Sequence, residues 1–303
     1  MDKFRAYRID EQDGKTVAGF RELEIDDLTE GNVVVKVSHS TINYKDALAA
    51  TGAGKILRRH PLNGGIDLAG VVVSSEDAEF QPGTAVLVNG CGLSESFDGG
   101  YSEYARLDSK SLVPIPGGLD AHGAMQLGTA GYTAALAIHR MEQNGQRPDM
   151  GPIVVTGASG GLGAIAIDLL TRAGYEAHAI TGKVDSFDWL ESLGAKQCVS
   201  RHDLHWGQAP LEKASWAGCI DTVGGGMLSG ISRVIRPWGN IAVCGMAGGH
   251  ALNTTVFPLI LRGVSLLGVS SANCDIETRR MLWNRLGGDW KPAQLDRIVS
   301  EEV

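Results

Sequence analysis

The sequence has no run of about 18 apolar residues, the length a membrane-spanning helix requires. Its opening stretch, MDKFRAYRIDEQDG, is polar and lacks the apolar core of a signal peptide. Both absences lead us to expect a cytoplasmic chain with no membrane partner. Cysteine is sparse: five in 303 residues, at Cys91, Cys198, Cys219, Cys244 and Cys274. None forms a Cys-x-x-Cys pair, and the odd number fits a reduced compartment better than a disulfide framework. Small apolar core positions account for most of them, and no metal site is assigned. Positive charge is in deficit, with 27 Lys and Arg against 35 Asp and Glu, a formal net charge of −8. Such a balance disfavours nucleic acid and anionic membrane surfaces as partners, while leaving room for a local basic pocket around a phosphorylated ligand. Proline is scarce at 10 and there is no low-complexity repeat, so the 41 glycines mark tight turns rather than disorder.

What is present falls into two halves. Through the first 120 or so residues, VAGFRELEI, NVVVKVSHSTIN, LAGVVV and TAVLV are β-branched runs separated by glycine, proline or acidic turns. No amphipathic segment there is long enough for a βαβ crossover helix. The pattern predicts a curled, barrel-like β domain with short helices near KDALAA. From Ala124 the rhythm changes. GPIVVTG, YEAHAIT, KQCVS, WAGCIDTVG, GNIAVCGMAG and SLLGVSS read as strands; GGLGAIAIDLLTRAG, SFDWLESLGA and MLSGISRVI read as helices between them, and ETRRMLWNRL as a last helix. Alternation of this kind predicts a parallel, doubly wound sheet with right-handed crossovers.

The first of those strands runs into a glycine-rich turn, Thr156-Gly157-Ala158-Ser159-Gly160-Gly161-Leu162-Gly163. A strand–glycine turn–helix unit offers backbone N–H groups and the positive helix end, roughly half a charge, to a pyrophosphate. Gly160 allows close backbone approach, and Gly163 allows the helix to pack against the strand. Enzymes that use NAD place an Asp or Glu about 20 residues on, at the end of the second strand, to grip the ribose 2′-hydroxyl. Here that strand ends Thr181-Gly182-Lys183, with Arg201 beyond the third strand. A 2′-phosphate carries a charge near −2 and would be repelled by a carboxylate but attracted by Lys183 and Arg201. The expected cofactor is NADPH, with Asp185 the one residue nearby that opposes it.

A Thr-Gly-x-x-x-Gly-x-Gly turn also occurs in short-chain dehydrogenases. Their cofactor turn opens the chain, whereas this one follows Ile153, and none of the six tyrosines here has the Tyr-x-x-x-Lys spacing that they need. A β domain first and a Rossmann domain second is the order of the medium-chain dehydrogenase/reductases. Zinc members of that superfamily carry Cys-His and Gly-His-Glu ligand motifs and a four-cysteine lobe. At the matching places this sequence has Asn43-Tyr44-Lys45-Asp46 and Gly65-Ile66-Asp67-Leu68, and Cys91 stands alone. Without imidazole and thiolate ligands a tetrahedral zinc site has nothing to hold it.

STINYKDALA, GGIDLAGVV, FDGGYSEYA, GTAGYTAAL, VVTGASGGLGA, WAGCIDTVGG, AVCGMAGG and FPLILRGVSLLG run in order through most of the chain. Together they resemble the acryloyl-CoA reductase branch of the zinc-less, quinone oxidoreductase-like enzymes. The resemblance implies an α/β fold: a GroES-like β-rich catalytic domain at 1–123 plus 273–303, and a six-stranded Rossmann NADPH-binding domain at 124–272. It further implies a homodimer that reduces the C=C bond of acryloyl-CoA to propanoyl-CoA. Two family features are not matched: Ser270 stands where the branch has Asp, and a Gly-Arg-x-Val strand is not found before Val303.

By the same resemblance, Asn43 and Tyr44 lie beside the nicotinamide. Ser159, Gly160, Gly161 and Leu162 meet the pyrophosphate; Thr181, Gly182, Lys183 and Arg201 meet the 2′-phosphate; Met246, Ile260 and Ser271 line the nicotinamide half. Tyr44 can orient the ring, donate to the substrate or relay a proton, or it can simply finish a strand. Asp46 reads equally as a helix cap or a tether for Lys45, and Asp67 as structural. Thr129 and Tyr132 sit where the halves join, with packing an equal explanation. The run Lys55, Arg58, Arg59, His60 is either a solvated face or a seat for CoA phosphates. Two other readings compete: an NADPH-dependent quinone or enone reductase, and a non-catalytic NADPH sensor on this fold.

Overall fold

The chain opens on an antiparallel hairpin. β1 (Phe4–Gln12) and β2 (Lys15–Leu23) are joined by Asp13 and Gly14, both at positive φ (51° and 73°), which Asp-Gly supplies at low cost in a tight hairpin turn. The structure, a computed structural model, describes residues 3–299 and 301–303. After the hairpin come β3 (Val33–His39), helix α1 (Tyr44–Thr51), and the strands β4 (Leu62–Asn63), β5 (Asp67–Ser75), β6 (Ala85–Asn89), β7 (Tyr104–Leu107) and β8 (Val113–Pro114). They form a three-stranded sheet in the order β2-β1-β4 and a five-stranded antiparallel sheet in the order β7-β3-β5-β6-β8. Val33, Val35, Leu68, Val72, Val86, Val88 and Leu107 alternate inward and, with Phe80 and Leu112, fill the core of the larger sheet.

Helix α2 (Ala121–Gln143) is interrupted at Gly128 (φ 48°, ψ −151°), and there the chain passes from its first compact unit to its second, between Thr129 and Ala130. The second unit is built from β9 (Ile153–Thr156), α3 (Gly161–Arg172), β10 (Ala177–Thr181), α4 (Phe187–Ser192), β11 (Ala195–Ser200), β12 (Trp216–Asp221), α5 (Gly225–Val234), β13 (Ile235–Val243), α6 (Phe257–Arg262) and β14 (Ser265–Gly268). All six strands are parallel, in the order β11-β10-β9-β12-β13-β14. This is the dinucleotide-binding order, in which the chain reverses direction across the sheet between its first and fourth strands, here β9 and β12. Strands covered on both faces should be continuously apolar, and Ile153 to Val155 are fully buried.

The chain re-enters the first unit at Ser271, adds α7 (Ile276–Leu286), and returns to the second at Asp289, with α8 (Leu295–Ile298). Three boundaries differ from those expected, the re-entry by only two residues (271 against 273). The first unit runs on to Thr129 because Asp67 binds that residue. Asp289–Val303 belongs to the second unit rather than the first. There, buried Asp168 on α3 accepts the Gln294 backbone N–H (2.9 Å), and Trp189 Nε1 donates to the Arg297 carbonyl (3.0 Å). No helix among the described residues is long and apolar enough to cross a membrane.

Candidate active and cofactor sites

In the second unit the residues expected to meet the pyrophosphate and 2′-phosphate gather at the carboxyl ends of β9 and β10. Thr156 donates to the buried Asp221 carboxylate (2.7 Å), while Thr222 donates its backbone N–H to Thr156 Oγ1 (3.0 Å) and its hydroxyl to the Thr156 carbonyl (2.8 Å). These bonds tie β9 to β12 at the switch point. Gly157 then turns at φ 61°, where an added Cβ would sit 2.3 Å from Thr222 Oγ1. At Gly163 a Cβ would lie 2.5 Å from the Gly157 carbonyl oxygen and 2.7 Å from Ala158 Cα, the close helix–strand approach expected of this glycine. Gly161 is the opposite case: nothing lies within 4 Å of its Cβ position. Gly160 is the N-cap of α3 and supplies no side-chain cap, so no capping side chain occupies the first N–H groups of a twelve-residue helix. That arrangement fits a pyrophosphate.

The expected 2′-phosphate residues are brought together as well. Ser159 Oγ and Thr181 Oγ1 are 2.7 Å apart, and the Lys183 backbone N–H donates to Thr181 Oγ1 (3.1 Å). The Arg201 guanidinium lies across Gly182, where a Cβ would be 2.6 Å from Nε. Arg201 Nε also donates to His202 Nε2 at 3.4 Å. Lys183 and Arg201 are exposed, and Asp185 is exposed in the turn Val184–Ser186. Met246 follows β13 on a loop held by the Gly248 N–H bond to the Val223 carbonyl (2.7 Å). Met246 is 70% exposed and Ile260, on α6, 72% exposed.

The first unit holds Asn43, Tyr44 and Ser271. Asn43 caps α1: its N–H donates to Asp46 Oδ2 (2.8 Å), and Asp46 Oδ1 accepts the Ile66 N–H (2.9 Å). Asp46 is therefore a cap, and Lys45 pairs with Glu95 instead (2.5 Å). Burial, then the nearby Asp67 charge, pushes the Asp46 carboxyl up, although its hydrogen bonds oppose this. Tyr44 begins α1 rather than ending β3, and is 73% exposed.

Asp67, fully buried at the start of β5, is a junction that the sequence did not reveal. Its Oδ2 accepts from Thr41 Oγ1 (2.5 Å), Asn43 Nδ2 (2.9 Å) and the Thr129 N–H (2.9 Å), and its Oδ1 from Thr129 Oγ1 (2.5 Å). Gly128 is required beside it, since a Cβ there would meet Asp67 Oδ2 at 2.9 Å. Tyr101, also missed, donates to the Thr41 carbonyl (2.8 Å); burial and then Asp46 push its phenol far up. Ser271 is set by the fully buried Arg279, which donates to the Ser271 carbonyl (2.8 Å) and to that of Asn89 (2.7 Å).

This donor set does not fit zinc. Asn43 uses its amide N–H groups on Thr41 (2.8 Å) and Asp67, and Asp67 spends its lone pairs on four donors. Among the described residues no group of three or more His, Cys, Asp and Glu side chains is close enough to hold a metal ion.

An antiparallel β domain and a Rossmann domain whose glycine turn, switch point and basic strand end suit a dinucleotide define a two-domain nicotinamide dehydrogenase/reductase. Two family profiles agree: the alcohol dehydrogenase GroES-like domain matches residues 29–117 and the zinc-binding dehydrogenase family residues 161–286. The chain is 44% identical over 301 residues (99% of it, 91% of the relative) to YhfP of Bacillus subtilis, which bears a quinone oxidoreductase name. It is 42% identical over 291 residues (96% and 88%) to the acrylyl-CoA reductase AcuI of Ruegeria pomeroyi. The yhdH oxidoreductase of Salmonella enterica, solved in complex with NADP, superposes with a TM-score of 0.94 at 44% identity, covering 99% of this chain and 92% of that one. Bacillus subtilis yhfP, solved with NAD bound, gives 0.97 at 43% identity, covering 100% and 92%. The chain belongs to the medium-chain dehydrogenase/reductase superfamily, in the branch that contains the acrylyl-CoA reductases and quinone oxidoreductase-like proteins.

Proposed function

We propose that this protein uses NADPH to reduce the C=C bond of an enoyl-CoA, acryloyl-CoA to propanoyl-CoA, without zinc. NADPH, when bound, supplies the hydride that the β-carbon of the thioester accepts. Ser159 to Leu162 would hold its pyrophosphate on the start of α3, Lys183 and Arg201 its 2′-phosphate, and Met246, Ile260 and Ser271 its nicotinamide half. The NAD-bound relative makes the choice between cofactors a matter for Lys183 and Arg201, and both favour the phosphorylated form.

Hydride addition leaves an enolate oxygen that needs a donor before the α-carbon takes a proton from solvent. One observation carries the assignment of that donor. The Asn43 amide is committed to Thr41 and Asp67, whereas the 73% exposed Tyr44 makes no side-chain hydrogen bond among the described residues. Tyr44 is the residue left to donate to the thioester oxygen, and Asn43 is the residue that fixes where α1 begins. Loss of the Tyr44 hydroxyl in Tyr44→Phe should lower kcat more than it raises KM for acryloyl-CoA; an unchanged kcat would remove Tyr44 from the reaction.

The name of YhfP supports a second acceptor class, quinones or enones, because the same hydroxyl suits any conjugated carbonyl. NADPH oxidation with acryloyl-CoA and with 1,4-benzoquinone separates the two. A high kcat/KM for the quinone with none for the thioester would overturn our reading, and tight NADPH binding without turnover would point to a sensor. We further propose a cytoplasmic homodimer. Its five cysteines are all unpaired. β14 is an edge strand of the parallel sheet, and Val256 (60%) and Leu261 (61%) are exposed just before it. Light scattering at one chain's mass, 32.0 kDa, would refute the dimer.

A further inference from the structure

We propose that Lys55, Arg58 and Arg59, grouped with Lys45, form the seat for the 3′-phosphate and diphosphate of CoA; this rests on the enoyl-CoA reading above. The cluster belongs to the same unit as Tyr44 and begins beside it. Lys45, the next residue, is ion-paired to Glu95 Oε1 (2.5 Å), and the same carboxylate holds Arg58 Nη2 through Oε2 (3.9 Å). The Arg58 backbone N–H donates to the Glu95 carbonyl (2.7 Å), and Leu57 is buried at 6% exposure. The segment is thus anchored from beneath while the Arg58 side chain stays 75% exposed. Lys55 and Arg59 are exposed and, among the described residues, make no ion pair or hydrogen bond. Around them, Glu95 is already shared between two cations, Asp46 is turned inward to Ile66, and Glu11 lies 4.0 Å from His60. In a protein of net charge −8 this leaves an unneutralised positive face.

Its placement matches an elongated ligand. α1 runs eight residues from Tyr44, roughly 12 Å, and turns at Gly52 in the left-handed region (φ 70°) toward Lys55. Arg58 reaches the carboxylate that also holds Lys45, so the positive face starts at the Tyr44 end of α1 and continues past Gly52 to Lys55, and the pantetheine arm of a CoA thioester reaching Tyr44 would run along it. One lysine and two arginines suit three phosphate groups: Lys55 as a compact charge, and Arg58 and Arg59 through planar guanidinium groups that can take two phosphate oxygens each.

The test compares acryloyl-CoA with acryloyl-N-acetylcysteamine, which carries the same reacting group and no phosphate. The enzyme is used in its native form and as Lys55→Ala/Arg58→Ala/Arg59→Ala. CoA binding is also measured by calorimetry. We expect the native enzyme to prefer the CoA thioester. The variant should lose roughly tenfold in kcat/KM for acryloyl-CoA, as three exposed charge contacts disappear, keep its rate with the short thioester, and bind CoA roughly tenfold more weakly. High salt should weaken CoA binding by the native enzyme alone. An equal loss with both thioesters, or none with either, would overturn the seat while leaving the reductase reading intact. Absence of thioester reduction and of CoA binding in the native enzyme would overturn both.

Discussion

Replacing Asp67 by Asn is the sharpest test of the junction that holds Asn43. The change is almost isosteric, but it exchanges one acceptor oxygen for an amide with two donors. Whichever way the amide faces, one side now meets donors: either Thr41, Asn43 and the Thr129 N–H, or the Thr129 hydroxyl. Turning its nitrogen to the single hydroxyl is the milder choice, since Thr129 Oγ1 can rotate to accept. The surviving bonds then lose their charged acceptor. A hydrogen bond to a charged group contributes about 1.5–3 kcal/mol and a neutral one about 1. Weakening three bonds by that difference gives a destabilisation of about 3 kcal/mol. Urea unfolding followed by far-UV circular dichroism should show it as a lower midpoint at unchanged slope. Thr129→Val, which keeps the backbone bond and deletes the hydroxyl, should cost about 1.5–3 kcal/mol, and the double variant should cost less than the sum of the two. Additivity, or a loss below about 1 kcal/mol in Asp67→Asn, would refute the network as the anchor of this site.

Arg201→Ala and Lys183→Ala should each raise KM for NADPH roughly tenfold while leaving KM for NADH within about twofold; a parallel rise for both cofactors would detach these residues from the 2′-phosphate. Gly163→Ala forces Cβ within 2.5 Å of backbone and should cost about 1–3 kcal/mol of stability. Gly161→Ala meets nothing within 4 Å, so it should leave stability unchanged and weaken only NADPH binding; the reverse pattern in thermal melts and cofactor titrations would count against the turn as described. Burial raises the Asp46 carboxyl above its ordinary 3.8, so the folded chain keeps a proton that the unfolded chain has released. Its contribution is fully present below about pH 4 and is lost as pH rises through the folded value. The stability of the native protein minus that of Asp46→Asn, from urea unfolding between about pH 4 and 7, should therefore fall with pH; parallel profiles would contradict it.

The Rossmann half was legible because its strands are short, buried and bracketed by glycines, and because sequence neighbours become spatial neighbours. The strands Ile153–Thr156, Ala177–Thr181 and Trp216–Asp221 lie where the apolar runs predict. Much of the β half was not. β1 carries only Phe4, Ala6 and Ile9 inward, with charged residues spread between them, too weak an alternation to stand out. The start of α2 is obscured by Gly123 and Gly128, and the second of these does break the helix. Asp67 read as a residue without a partner because its partners come from positions 41, 43 and 129, and no local pattern encodes contacts of that separation. Near the glycine turn, spacing pointed to Gly160, Gly163, Lys183 and Arg201, and the family resemblance supplied the other candidates. The fact that Asn43 has no donor to spare could not be read from the sequence, since it depends on two side chains held in place by distant backbone.

Arg201 lying over Gly182 has a consequence for how this lineage can change. The guanidinium occupies the volume that any side chain at 182 would claim, so on the proposed reading of Arg201 the grip on a 2′-phosphate would depend on an atom that is missing. A single substitution at an uncharged position can displace the arginine without altering it. On that reading, selectivity between the two dinucleotides would be written in glycine as much as in arginine.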